Sequence, residues 1–379
     1  MTKTAIVAGG GIAGAVAAIA LHRAGYQPVV YEAHGAGADN RGTWLTVAVN
    51  GLAALAALDL DPESIVAAGF PTPRLSLTNG SGRQLARIPL GGTTIRRPDL
   101  YAALRSEVVA RGITVVYGKR LVSRSEAGDR VTAVFADGER ATADLLVGAD
   151  GVHSATRRLL DPAGPAPRFL GLLNSAGFTT APVEADLDRT PGLMHMAFGK
   201  RCFFGWCAAP DGSIWWFANP PAAEPSGPQA EPAWRAHLLE LFAADKIPAT
   251  AIIRATGQIE GPWNTYDLPR VPVWRSARTV LIGDAAHAAS PSSGQGASMA
   301  MEDAVTLGKC LAAGGDALAR YESARRDRVQ RVVAAGRRSG SGKAAGPVGA
   351  AIRDAITPLV MRMLYRKGNP QAWILDHRV

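Results

Sequence analysis

One glycine-rich loop near the start of the chain constrains the fold of everything around it. Residues 4–8 are an apolar run, Gly9-Gly10-Gly11-Ile12-Ala13-Gly14 is a turn, and an alanine-rich stretch over 15–24 stops at Gly25. A second apolar run, 29–32, closes on Glu32. Strand, turn, helix, strand and acid in that order make a βαβ unit with the crossover length a parallel sheet needs. Each glycine has its own task. Gly9 allows the tight turn, Gly11 lets backbone approach a pyrophosphate, and Gly14 lets the helix press on the strand. The free N–H groups of the first helical turn, including those of Ile12 and Ala13, then face an anion.

Glu32, eighteen residues past Gly14, is placed for the ribose hydroxyls of an adenosine. An acid there favours a free 2′-OH over a 2′-phosphate, so the resident nucleotide is FAD or NAD.

Composition closes off other classes. A chain of 379 residues with 47% hydrophobic and 19% charged residues can bury a large core. The formal charge of +9 is spread along the chain without a basic block or a reader motif, so nucleic acid is not an expected partner. The densest basic stretch, Arg325, Arg326, Arg328, Arg331, Arg337 and Arg338, reads as the solvated side of a late helix. Cys202, Cys207 and Cys310 provide neither a disulfide framework nor zinc-ligand spacing. No metal is expected, and the thiols fit packing in a reducing cytoplasm. The uncharged run 4–21 imitates a signal peptide, but its four glycines and its register with Glu32 make it strand, turn and helix. A cytoplasmic monomer or homodimer without a membrane span is the expectation.

Further along, 50–59 reads as a helix, and 74–78 and 83–89 flank Asn79-Gly80-Ser81-Gly82 as a hairpin. A helix over 99–111, a strand at 114–117, a hairpin around Asp137-Gly138 and a buried strand at 145–147 follow. Prolines at 162, 165 and 167 mark a change of texture. From there to about 272, aromatic residues gather in β-like runs at 194–198, 202–208 and 214–218, with one helix near 234–243. Strand-helix character returns at 279–282, followed by helices at about 298–311, 316–336 and 350–365. The Gly/Ser-rich segment 339–349 separates the last two. The spacing predicts an α/β protein: a Rossmann-like nucleotide domain (1–72, 97–163 and 273–345) with an inserted β-sheet-rich substrate domain (73–96 and 164–272). A C-terminal helical segment, 346–379, braces the two.

Two later segments narrow the nucleotide. Gly148-Ala149-Asp150-Gly151-Val152-His153-Ser154 runs on to Arg157, and Gly283-Asp284-Ala285-Ala286-His287 leads to Pro291 and Gly294-Gln295-Gly296-Ala297-Ser298. NAD has no use for a carboxylate loop delivered from the far end of the chain. An extended FAD does, because its ribitol and ring reach beyond the first βαβ unit. With three motifs in this order, nearly the whole chain resembles the para-hydroxybenzoate hydroxylase-like, group A flavoprotein monooxygenases. In size it is similar to their tetracycline-modifying members. The resemblance implies resident FAD, with Asp284 on the ribitol and Asp150 serving flavin and nicotinamide. It implies that Arg97 and, in a looser match, Arg41 line the flavin site. Pro291, Gly294, Gln295 and Gly296 form the flavin-facing catalytic loop, and the helix start at Ala297 and Ser298 favours negative charge on the reduced ring. NADPH or NADH is then a transient reductant, O2 the co-substrate, and a flavin C4a-hydroperoxide the oxygen donor. Two positions depart from the family: Ser298 replaces a frequent Asn and Ser290 a frequent Pro. The Ser298 hydroxyl can still cap a helix. His287 reads as a structural member of its loop.

For the substrate, Met194, Met196, Phe204, Trp206 and Trp216 are the candidate pocket residues, with the strand register left open. Such a lining suits a bulky, neutral polycyclic, indolic or terpenoid molecule that is hydroxylated or epoxidised. The same fold also carries FAD-dependent reductases, halogenases and non-enzymatic prenyl-binding escorts. The halogenase signature Trp-x-Trp-x-Ile-Pro is missing, its nearest run being Trp215-Trp216-Phe217-Ala218-Asn219-Pro220. An escort would not need the Gly-Asp loop that this chain keeps.

Overall fold

A computed structural model of the chain describes residues 2–37, 42–341, 343, 347–366 and 368–379. Its first sheet has five parallel strands in the order Thr279–Leu281, Leu145–Gly148, Lys3–Ala8, Tyr26–Glu32 and Thr114–Tyr117. Leu145–Gly148 is buried along its whole length, as expected of an inner parallel strand covered on both faces. The helix Ile12–Arg23 buries Ile12 and every residue from Gly14 to Leu21 between this sheet and the helix Gly296–Ala312. Small residues set that distance: a Cβ on Gly308 would stand 2.9 Å from the Ala20 Cβ.

The other face of the parallel sheet is covered by the antiparallel strands Leu121–Ala127, Arg130–Phe135 and Arg140–Ala143. A small sheet of Trp44–Val47, Thr93–Arg96 and Phe70–Pro71 joins this half to the second. The second half is a seven-stranded sheet ordered Ile259–Asp267, Arg168–Thr179, Ile214–Asn219, Phe203–Ala208, Leu193–Phe198, Arg74–Asn79 and Gln84–Pro89. The helices Glu231–Phe242 and Ala249–Ala255 pack on one of its faces. The chain is therefore α/β, with a Rossmann-like parallel sheet and a sheet-rich insertion.

Three features differ from expectation. Arg168–Thr179 and Ile259–Asp267 are long strands without a clean alternation, because glycines make room for neighbours: a Cβ on Gly177 would meet the Trp216 ring at 2.9 Å. The helix expected to stop at Gly336 runs unbroken as Ala317–Ser341. Its glycines serve contact rather than termination, since a Cβ on Gly336 would lie 2.8 Å from the Ser293 Cβ. The arginine stretch on that helix is also not all solvated. Arg325 is 1% exposed and paired with Glu302 and Asp303.

Candidate active site

The three motifs converge through backbone contacts that tolerate almost no side chain. Gly9 has φ +102°, and a Cβ there would lie 2.5 Å from the Ala149 oxygen of the Asp150 loop. A Cβ on Gly14 would fall 1.9 Å from the Gly9 oxygen. Gly283, also at positive φ, brings the late loop against the first helix, where a Cβ would stand 3.1 Å from the Ala13 Cβ. Arg157 completes the junction: buried, it donates to the Val152 carbonyl at 2.7 Å and the Ala285 carbonyl at 3.0 Å. Loops separated by some 130 and 270 residues of sequence thus meet at one helix N-terminus.

Open space lies where a ligand would be needed. Nothing stands within 4 Å of a Cβ built on Gly11, whose helix has no side-chain cap on its first N–H groups. Gly294, in the left-handed region at φ +60°, likewise faces open space. Asp284 sits in a recess, its carboxylate accessible but walled by protein. Desolvation raises its pKa, opposed by the charges of His287 and Arg97. Among the described residues no hydrogen bond reaches this carboxylate, and its Oδ1 lies 3.9 Å from where a Gly296 Cβ would stand. The helix start at Gly11 would hold a pyrophosphate, the Asp284 carboxylate would take ribitol hydroxyls, and the open side of Gly294 leaves room for a ring, so FAD fits the residues present.

The other expected ligands are more occupied. Glu32 accepts the Gly10 N–H at 2.7 Å through Oε2, and the His34 N–H at 2.9 Å through Oε1, so it clamps the glycine turn. Asp150 accepts from the Ser154 hydroxyl and from the Thr156 N–H and hydroxyl, at 2.8 and 2.9 Å. Its carboxylate braces the loop that carries it. Arg97 donates to the Tyr101 hydroxyl at 2.9 Å, and its backbone N–H bonds the Thr43 carbonyl. Arg41 lies outside the described residues.

Below Pro291, Gly294, Gly296 and Ala297 is a buried polar network that sequence reading missed. Gln295 turns inward, accepting from Asn50 at 3.1 Å, and Asn50 donates to Glu302 at 2.7 Å. Glu302 also receives Arg325 and Arg328, each at 2.7 Å. Asp303 receives Arg325 at 2.7 Å, the Gly283 N–H at 2.8 Å and the His287 ring. Burial would raise the Asp303 pKa, yet His287, Arg325 and these hydrogen bonds together hold it at about 2. His287 is therefore a structural partner of Asp303. Ser298 caps no turn of its own helix; its hydroxyl accepts the Ala48 N–H at 3.1 Å and ties two helices together. A Glu-Asp pair inside the apolar run Met299-Ala300-Met301-Glu302-Asp303-Ala304-Val305 was the available signal.

The large sheet has two unlike faces. Phe204, Trp206 and Trp216 lie on the face covered by helices, where they are 0%, 5% and 0% exposed. Trp216 Nε1 is held there by Thr256 at 2.8 Å. The opposite face carries Met194, Met196, Phe203, Trp215 and Phe217. Met194 is itself packed away against Phe70, Leu75 and Trp215. Trp44 meets this second face, its ring 5.5 Å from Phe217 and its Nε1 donating to the Trp216 carbonyl at 3.3 Å. Lys343, just past the helix that packs on Ser293, reaches the same face. Its amine donates to Asn219 Oδ1 at 2.6 Å and stands 4.1 Å over the Phe203 ring. Burial lowers its pKa to about 7.

Comparison with known proteins agrees with this geometry. The chain matches the FAD binding domain family over residues 1–336. It is 31% identical over 351 residues to the aurachin C monooxygenase/isomerase of Stigmatella aurantiaca, covering 89% of this chain and 88% of that protein. It is 33% identical over 350 residues to an FAD-dependent urate hydroxylase of Klebsiella pneumoniae, covering 87% of each. The crystal structure of Klebsiella pneumoniae HpxO complexed with FAD and uric acid superposes with a TM-score of 0.81 at 27% identity, covering 96% of this chain and 95% of that one. By sequence, fold and the convergence of its three loops, the chain belongs to the FAD binding domain family and is an FAD-dependent group A flavoprotein monooxygenase.

Proposed function

We propose that this enzyme hydroxylates or epoxidises a bulky, uncharged aromatic, polycyclic or terpenoid molecule, consuming NAD(P)H and O2. The observation that carries the substrate class is the second face of the large sheet. Met196 and Phe217 are half-buried on this face, above the buried rings of Phe203 and Trp215, and Trp44 links them to the FAD-binding half. Lys343 and Asn219 form its polar end. An amine with a pKa of about 7 can orient a carbonyl or hydroxyl without demanding an anionic substrate.

In this reading residues 1–72, 97–163 and 273–345 hold FAD, and 73–96 with 164–272 hold substrate. Gly9, Gly11, Ile12, Ala13 and Gly14 take the pyrophosphate, Glu32 the ribose, and Asp284 the ribitol hydroxyls. Arg97 would line the flavin site, and Asp150 steadies its own loop through Ser154 and Thr156. When bound, FAD supplies the hydride acceptor and the site of O2 activation. The chain's part is to bind, orient and exclude water. Backbone N–H groups at Gly296, Ala297 and Ser298, at the start of their helix, offer positive potential to the reduced ring, while the Pro291 carbonyl accepts the Gly294 N–H at 3.0 Å and fixes the turn before them. Aromatic walls keep water from the reacting oxygen.

The test is stopped-flow flavin reduction by NADH and by NADPH across lipophilic aromatics, indoles, terpenoids and simple hydroxybenzoates. Acceleration by a lipophilic compound with matching O2 uptake is expected. Tight binding and strong acceleration by a simple hydroxybenzoate would overturn the substrate class.

A further inference from the structure

The helix Pro347–Tyr365 lies against the edge strand Gln84–Pro89 of the large sheet and uses only one side to do so. That inner side is partly polar. Asn79 donates to Asp354 at 2.8 Å, Arg83 donates to the Asp354 carbonyl, and Arg353 lies 4.2 Å over the Phe198 ring. The outer side is apolar. Ile352, Ile356, Leu359 and Met363 recur at spacings of four, three and four, which lines them up along one stripe. They are 54%, 50%, 69% and 60% exposed, with Leu364 beside them at 41%. A helix docked on a globular core ordinarily turns such a stripe inward.

The helix carries exposed basic residues beside the stripe. Arg362 and Arg366 are exposed at the C-terminal end of the stripe, and Arg83 is exposed on the neighbouring strand segment. The helix has one acidic residue, Asp354, which turns inward to Asn79 and Arg353. Whatever covers the stripe must therefore accept apolar side chains and supply negative charge. A second copy pairing through the same stripe supplies neither enough area nor the charge. Four side chains on about three helical turns cover a few hundred Å², well under the ~800 Å² per partner of a stable interface. A copy of this helix also brings no free carboxylate. An anionic bilayer surface has both an acyl boundary and phosphates.

We propose that this helix lies in the headgroup plane of an anionic membrane, with the Ile352 to Met363 stripe at the acyl boundary and Arg362 and Arg366 on lipid phosphates. Among the described residues no helix is long and apolar enough to cross a membrane, so the attachment is peripheral and reversible. The inference goes beyond the redox reading and does not depend on the substrate assigned above.

Flotation of the FAD-loaded full chain with phosphatidylcholine vesicles, with and without phosphatidylglycerol, tests it. The parent protein is expected to float with anionic vesicles and to be released by high salt. Leu359→Glu with Met363→Glu should lower binding roughly tenfold or more, and Arg362→Glu with Arg366→Glu should remove the preference for anionic lipid. Val109→Glu, at a valine 61% exposed on the helix Arg97–Ala110, should leave binding unchanged. Flavin absorbance and NAD(P)H oxidation in solution should stay at the parent level in all of them, which separates this surface from the redox site. Failure of the parent to bind anionic vesicles overturns the proposal. So does binding that ignores the Leu359 and Met363 changes, or a dimer in light scattering that Leu359→Glu splits.

Discussion

The floor beneath Gly294 and the aromatic wall of the large sheet are both well packed, but different forces hold them. The floor consists of buried ions and backbone approaches with no slack: Asp303, Glu302, Arg325 and Arg328 pair with one another, and Gly14 touches Gly9. Removing one partner strands a charge. The wall consists of interchangeable apolar contacts, which volume-conserving substitutions disturb little. On the substrate assignment proposed above, the contrast gives a physical reason for a fixed cofactor and an adjustable substrate on one scaffold.

The comparison can be broken at several points. Arg325→Met should be the most damaging change, costing about 3–5 kcal/mol because Asp303 and Glu302 lose their buried partner. Thermal unfolding and flavin content of the purified protein report it, and a loss under about 1 kcal/mol would remove the distinction between floor and wall. Next come the two faces of the sheet. Phe204→Ala, in the helix-covered core, should cost about 3–4 kcal/mol. Phe217→Ala, half-buried beside Trp44, should cost about 1 kcal/mol, yet abolish substrate-stimulated flavin reduction. The reverse pattern would exchange the roles of the faces.

Gly11→Val separates binding from folding. Its side chain enters open space, so apoprotein stability should change by less than about 1 kcal/mol. FAD retention on gel filtration should fall sharply. The smallest effect has the opposite sign. Lys343 has a folded pKa of about 7 against an ordinary 10.5, so the unfolded chain binds the extra proton between those values. Its penalty on stability is full below pH 7, shrinks as pH rises, and is gone above 10.5. Lys343→Met should therefore raise the melting temperature at neutral pH, by an amount worth about 1 kcal/mol, and lose that advantage in alkaline buffer.

Much of this site was legible in the sequence because glycines and acids at fixed offsets have few alternative uses. Gly9, Gly11, Gly14, Asp150 and Asp284 do come together around one helix. The wall was less legible. Alternating aromatic residues look the same from either side, and only the placement of the helices Glu231–Phe242 and Ala249–Ala255 separates Phe204, Trp206 and Trp216 from Trp215 and Phe217. The ionic floor was hidden for another reason. Its acids and arginines sit on the facing sides of two consecutive helices, Gly296–Ala312 and Ala317–Ser341, and no local pattern shows which sides face each other, so Arg325 looked like one more solvated arginine. The roles of Trp44 and Lys343 depend on packing between the halves, which no local pattern records.

The most direct measurement is mass spectrometry of the product formed from isotopically labelled O2, with NAD(P)H and the lipophilic compound that most accelerates flavin reduction. One labelled oxygen atom per product molecule, with matching NAD(P)H consumption and little H2O2, is the predicted result. NAD(P)H consumption that yields a reduced or unlabelled product would contradict monooxygenation on this aromatic wall.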